Sequence, residues 1–190
     1  DDSHIGHART IIVFDALRRF IESKGIKVDF IQNFTDVDDK IIKKADEAGT
    51  TAELISKKYI ENYFADFDTL NIKRATQHPK ATEHIQDMIN LISDLMSKNI
   101  AYATKNGVYF SVSKFSDYGK LSKKNIEELE SGARIEVDES KENPLDFALW
   151  KFSATKPSWD SPWGVGRPGW HIECSAMSIK YLGKSFDIHG

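Results

Sequence analysis

Between residues 7 and 39 the hydrophobic period of the chain switches once, and that switch limits the folds open to it. Ile11, Phe14, Leu17 and Ile21 recur at three- and four-residue steps over residues 7–24, the spacing of one helical face, and Gly25 stands where a left-handed cap belongs. From Ile26 to Gln32 the period becomes two, with Val28 and Phe30 alternating against Lys27 and Asp29, which predicts a strand. The strand runs into the acidic turn Asn33-Phe34-Thr35-Asp36-Val37-Asp38-Asp39 and a helix over Asp39–Ala48 closed by Gly49. With a further strand predicted at Ser185–His189, strand, crossover helix and strand favour a parallel sheet.

Thr50 and Glu53 have the spacing of a capping box and open a long helix through about Phe67, with Ile60, Tyr63, Phe64 and Phe67 on one stripe. Another helix is predicted from Thr82 to about Lys98, its inner face made of Ile85, Met88, Ile89, Ile92, Leu95 and Met96. The texture then changes. Two short strands, Tyr102–Thr104 and Val108–Val112, flank Asn106-Gly107, a hairpin signal because both turn residues tolerate positive φ. A polar, acidic stretch around Glu127–Asp146 follows, then Phe147-Ala148-Leu149-Trp150, a loop rich in Pro, Trp and Gly, and a last helix over Trp170–Tyr181 ended by Gly183. The pattern is an α/β frame over 1–99, an inserted α+β segment over 100–156, and a return to the frame over 157–190.

Composition excludes several classes. The 190 residues carry 26 Lys+Arg and 29 Asp+Glu, a net charge of −3, so charge alone announces no nucleic-acid partner. Hydrophobic residues make up 40%, enough for a packed core. The longest apolar run, about Ile11 to Phe14, is far short of the roughly 18 residues a membrane span needs, so no membrane segment is expected. One cysteine, Cys174, allows no internal disulfide, and a reducing, cytoplasmic setting is the default. A start at Asp1 and an end directly after an apparent strand predict that both ends lie inside a larger fold.

Three places concentrate chemistry. His4-Ile5-Gly6-His7 opens the first helix, where unpaired N–H groups and the helix dipole attract phosphates. Two histidines three apart share a face there and can donate to phosphate oxygens, and Gly6 leaves room for a flat ring; a metal pair or two solvated histidines is the competing reading. Asn33–Lys40 lies at a strand's carboxyl end, where open parallel sheets bind ligands. Thr35, Asp36 and Asp38 could face a substrate, but capping of the next helix explains at least one aspartate, which leaves Thr35 as the stronger candidate. Gly169-Trp170-His171-Ile172-Glu173-Cys174 is predicted at the N-terminal turn of the last helix, where a thiolate is favoured. Cys174 there reads as a nucleophile, a zinc ligand or a small buried apolar residue, with Trp170 as a pocket wall. Trp150, Trp159 and Trp163 read as packing residues.

Taken in order, the blocks resemble the catalytic region of the cysteinyl-tRNA synthetases, a family of class I aminoacyl-tRNA synthetases. Ser3-His4-Ile5-Gly6-His7-Ala8-Arg9-Thr10 is similar to the family's His-Ile-Gly-His signature; Asn33-Phe34-Thr35-Asp36-Val37-Asp38-Asp39-Lys40 resembles its next block, with Phe34 where an aliphatic residue is more usual. Pro162-Trp163-Gly164 and Arg167 through Met177 resemble its zinc-cysteine block, and Phe186-Asp187-Ile188-His189-Gly190 the start of a Gly-rich strand end.

The resemblance implies a Rossmann-like parallel-sheet nucleotide-binding domain with an inserted connective segment. It implies ATP, with Mg, activating L-cysteine to cysteinyl-adenylate, and transfer of the cysteinyl group to tRNA(Cys). His4 and His7 would contact the ATP phosphates and support the transition state, and Gly6 would make room for adenine. Thr35 and Trp170 would line the amino-acid pocket, with His171 and His189 around its base. Cys174 would be one of four ligands to a zinc ion that binds the substrate thiolate, with the other three outside residues 1–190, so the piece alone would bind zinc poorly. Zinc prefers thiolate to hydroxyl, which would separate cysteine from serine by bonding rather than by pocket size. Two alternatives share parts of this pattern: a ligase joining cysteine to an amino-sugar, and a non-catalytic RNA- or partner-binding domain.

Overall fold

The computed structural model describes residues 1–123 and 139–190. The part of the acidic stretch from Glu127 to residue 138 lies outside the described residues. Five α-helices are present among them: α1 (Ile5–Ser23), α2 (Asp39–Glu47), α3 (Ala52–Thr69), α4 (Ile85–Ser97) and α5 (Trp170–Leu182). Four strands, β1 (Ala101–Ala103), β2 (Gly107–Phe110), β3 (Phe147–Phe152) and β4 (Gly166–Pro168), form one sheet in the order β1-β2-β3-β4. Two compact units result. Unit 1 comprises Asp1–Glu83 and Met177–Gly190, and unit 2 comprises His84–Ala176. No described helix is long and apolar enough to cross a membrane.

In unit 1, α1 ends as its sequence requires, with Gly25 at φ 78° just beyond the Lys24 cap. Its predicted apolar stripe is not its buried face. The one buried residue of α1 is Arg18, which donates to Glu22 and to the carbonyl of Arg74 and lies 5.7 Å from the Phe30 ring centre. Ile11, Phe14 and Ile21 are half-buried and Leu17 is exposed. Asp38 starts α2 by accepting from the N–H of Lys40 at 2.8 Å. The expected Thr50–Glu53 box is displaced by one residue. Thr51 caps α3 by accepting from Leu54, because the N–H of Thr50 is used to close α2 on the carbonyl of Ala45.

The strand expected at Ile26–Gln32 is extended chain, paired with residues 76–81 by two parallel bridges, Ile31↔Gln77 and Phe34↔Lys80. The N–H groups of Gln77 and Ala81 donate to the carbonyls of Phe30 and Phe34. Pro79, between them, has no N–H for the carbonyl of Gln32, so no continuous ladder forms. The strand expected at Ser185–His189 is likewise absent, since the segment has no pairing partner among the described residues. Asp36 is buried and accepts from both the N–H (2.9 Å) and the hydroxyl (2.6 Å) of Thr82. This fixes a 3₁₀ turn, Ala81–His84, where the sequence predicts the first turn of a helix.

Unit 2 carries the antiparallel sheet. Trp150 of β3 is fully buried, its indole N–H donating to the carbonyl of Gly164, and Trp163 lies edge-on to it at 6.4 Å. The predicted hairpin forms, with Ala103 opposite Val108, yet Asn106 does not take positive φ. Gly107 is required for another reason: a Cβ there would collide with the Trp150 carbonyl oxygen as β3 passes. Asp146 is 1% exposed and accepts from the N–H of Val112, the Tyr102 hydroxyl and the N–H of Asn143, at 2.9, 2.7 and 3.2 Å. Burial and the Asp146 carboxylate push the Tyr102 hydroxyl well above the usual phenol value.

Candidate active site

The N-terminus of α1 is built by the two histidines themselves. His4 is the N-cap, and its Nδ1 accepts from the N–H of Gly6 at 3.0 Å. His7 Nδ1 accepts from the N–H of His4 at 3.3 Å, and the rings stack with centres 3.8 Å apart and planes 21° from parallel. An imidazole whose Nδ1 accepts a hydrogen bond carries its proton on Nε2 when neutral. Each ring is thereby oriented with an Nε2–H donor directed away from the helix backbone, at a helix end whose first turn holds no acidic residue. Such a pair can donate to two oxygens of one phosphate chain. The space beside Gly6 belongs to His4: a Cβ at position 6 would stand 2.8 Å from His4 Cε1.

His7, Thr10 and Ile11 form one side of a cleft of about 500 Å³ within unit 1. The floor is Gln32, Asn33, Phe34 and Thr35, and the far side comes from α2 and α3, with Lys40, Lys44, Ile55, Tyr59 and Tyr63. Lys44 pairs with Asp1 and stands 4.5 Å over the Tyr59 ring. That volume lies within the range of small-molecule sites, roughly 300–1,000 Å³. The structure therefore brings His7 and Thr35, 28 residues apart in sequence, to the same cavity. Both candidate aspartates of the acidic turn are used structurally, Asp38 as a cap and Asp36 on Thr82, which leaves Thr35 as the remaining candidate there.

His189 is exposed in unit 1 with its ring 6.1 Å from Phe186, and the adjacent Gly190 packs against Phe14 of α1. The remaining predicted residues lie in unit 2. Trp170, exposed, is the first residue of α5 and its ring is 5.3 Å from that of His171. His171 also meets Phe147 edge-on at 5.0 Å, and partial desolvation holds its imidazole below the ordinary value. Cys174 is the fifth residue of α5, which starts at Trp170 as expected, and so stands just past the first turn in which a helix dipole acts on a thiolate. Zinc takes about four donors. Among the described residues no three His, Cys, Asp or Glu side chains gather around one point.

Sequence reading missed the support beneath Thr35. His78, Tyr63 and Phe64 cluster around Phe34, with Phe34 stacked on His78 at 5.3 Å and edge-on to Tyr63 at 5.1 Å, and Phe67 packs on Tyr63 at 4.5 Å. The Tyr63 hydroxyl donates to the Gln32 side chain at 2.9 Å, and burial raises its pKa. The α3 aromatic stripe was visible in sequence, but nothing there pointed to His78.

The whole chain, residues 1–190, matches the family described as tRNA synthetases class I (C) catalytic domain. It is 59% identical over 188 residues to the cysteine–tRNA ligase of Carboxydothermus hydrogenoformans, covering 98% of this chain and 40% of that protein. It is also 59% identical to the cysteine–tRNA ligase of Thermodesulfovibrio yellowstonii over 195 aligned positions, covering all of this chain and 40% of that protein. The chain thus spans about two fifths of the length of these curated relatives. Mixed α and β content, a small antiparallel sheet and a histidine-built helix start accompany that match, and the chain belongs to the class I (C) tRNA synthetase catalytic domain family.

Proposed function

We propose that the protein containing these residues joins L-cysteine to tRNA(Cys) in two ATP-driven steps. The observation that carries the reading is the stacked pair of histidines at the start of α1, of which His7 lines the same cleft as Thr35. The names of both relatives supply the amino acid and the acceptor. In the first step a cysteine carboxylate oxygen bonds to the α-phosphorus of ATP and pyrophosphate leaves. His4 and His7 donate to phosphate oxygens as charge builds on them, and Gly6, without a side chain, leaves room for the His4 ring. In the second step a ribose hydroxyl of the terminal adenosine bonds to the carbonyl carbon of the adenylate, AMP leaves, and the hydroxyl proton passes to solvent.

In this reading Thr35, Trp170, His171 and His189 are the residues that serve the amino acid. Cys174 would be one thiolate donor to a zinc ion, which would supply a Lewis acid that prefers a thiolate to a hydroxyl. Mg accompanies ATP. The fold is a Rossmann-like parallel sheet domain, of which 1–99 and 157–190 are parts and 100–156 the inserted segment. The work is placed in the cytoplasm, where ATP and tRNA meet.

Pyrophosphate exchange and tRNA charging with the intact protein test this. Cysteine-dependent exchange and charging of tRNA(Cys), both lost in His4→Ala and His7→Ala, is the expected result. Exchange without charging of any tRNA moves the acceptor to an amino-sugar, and no exchange with cysteine overturns the reading.

A further inference from the structure

We infer that His78 is a positioning residue, which sets Asn33 and Thr35 against the cleft by holding the carbonyl of Gln32 and the ring of Phe34. The inference rests on the reading of Thr35 as part of the amino-acid site. Its physical basis is the interrupted pairing of residues 30–34 with 76–81. In a parallel ladder every second N–H of one strand feeds every second carbonyl of the other. Gln77 serves Phe30 and Ala81 serves Phe34, so the residue due to serve Gln32 is Pro79, which has no N–H. His78 supplies the missing donor from its side chain: Nδ1 lies 3.1 Å from the Gln32 carbonyl oxygen.

The direction of that bond is set by the other nitrogen. The N–H of Ala75 donates to His78 Nε2 at 3.2 Å, and a carbonyl can only accept, so the ring carries its proton on Nδ1. The ring then lies flat on Phe34 at 5.3 Å and 22°, with Phe64 edge-on at 5.0 Å and Tyr63 at 6.3 Å on its other sides. Residues 32, 34 and 36 of the extended segment are tied to this side by His78, by the Pro79 carbonyl and by Thr82. Gln32, Asn33, Phe34 and Thr35 all line the cleft, so tying residues 32 and 34 fixes the backbone that carries the Asn33 and Thr35 side chains.

Protonation would place a second N–H opposite that of Ala75 and break the arrangement. Burial resists it, and so does Arg74, whose guanidinium lies 4.4 Å over Phe64 and pairs with Asp68; the Tyr63 hydroxyl is the remaining titratable group at this cluster.

The test is cysteine-dependent pyrophosphate exchange by the full-length protein, with amide hydrogen exchange across residues 32–36. His78→Phe keeps the ring stack and removes both hydrogen bonds; His78→Gln can restore donor and acceptor together. Expected is a rise of roughly tenfold in KM for cysteine in His78→Phe, with KM for ATP within about twofold, a change only in ground-state binding. His78→Gln recovers most of it. In the wild type, KM for cysteine climbs as pH falls below the ordinary imidazole value of about 6.5, and His78→Gln abolishes that climb. Faster amide exchange at 32–36 in His78→Phe but not His78→Gln reads the clamp without reference to activity. Equal rises in both KM values, no advantage of Gln over Phe, or unchanged amide exchange overturns the inference. A wild-type protein inert toward cysteine removes the functional reading instead, and amide exchange still decides the clamp.

Discussion

Gly6 and His4 occupy one volume: a methyl group on Gly6 would stand 2.8 Å from Cε1 and 3.0 Å from Nδ1 of His4. The ring that caps α1 can lie where it does only because position 6 has no side chain. Gly6→Ala separates two effects that usually travel together. Alanine is a better helix former than glycine by up to about 1 kcal/mol, which offsets the His4 cap lost when the ring moves, about 1 kcal/mol, so thermal stability changes little. Cysteine activation falls at least tenfold because the His4 ring is displaced, and a thermal melt beside pyrophosphate exchange reads both.

The histidines themselves give the complementary pattern. Removing a donor aimed at developing charge costs about 10²–10³ in rate, the loss expected in His7→Ala, with little change in the melt. His4→Ala loses the same donor function and an N-cap, which is worth about 1 kcal/mol. A melt lowered in His4→Ala and not in His7→Ala, with activation lost in both, is the outcome to look for.

Acid sensitivity follows from the two partly desolvated imidazoles. Burial lowers the folded-state pKa of His78 and His171 below the unfolded value of 6.5. The unfolded chain therefore binds more protons on the acid side, and stability rises with pH there. Stability is fully present above pH 6.5 and declines as pH falls through the lowered folded values. Denaturant midpoints measured between pH 7.5 and pH 5 show the decline, and replacing both histidines with glutamine flattens it.

Unit 2 depends on the Asp146 carboxylate with its three donors. Tyr102→Phe removes one charge-assisted bond, about 1.5–3 kcal/mol. Asp146→Ala costs more, since it also leaves the N–H of Val112 and the Tyr102 hydroxyl without their acceptor. Urea unfolding of the two variants checks the order.

Local signals in the sequence located the helices well. Periodicity and Gly25 placed α1 within two residues of its bounds, and Gly183 marks the end of α5 with φ 83°. His4, His7 and Thr35 stand out in the sequence because each lies at the end of a local element, and the structure brings His7 and Thr35 to one cleft. What stayed hidden was set by distant partners. Pro79 and His78 decide the fate of the Ile26–Gln32 segment from 46 residues away, and Thr82 claims Asp36 across a similar span. The Asn106-Gly107 turn was rightly located for the wrong reason, since Gly107 answers to β3.

That pressure of neighbours on β3 has a genetic side. Gly107 is closed by the Trp150 carbonyl and Gly169, on the opposite flank, by the carbonyl of Ala148. Any nucleotide change in a glycine codon is either silent or adds at least a methyl group or a stop. Every missense change at these two codons therefore tests the spacing of the sheet before it tests the reaction.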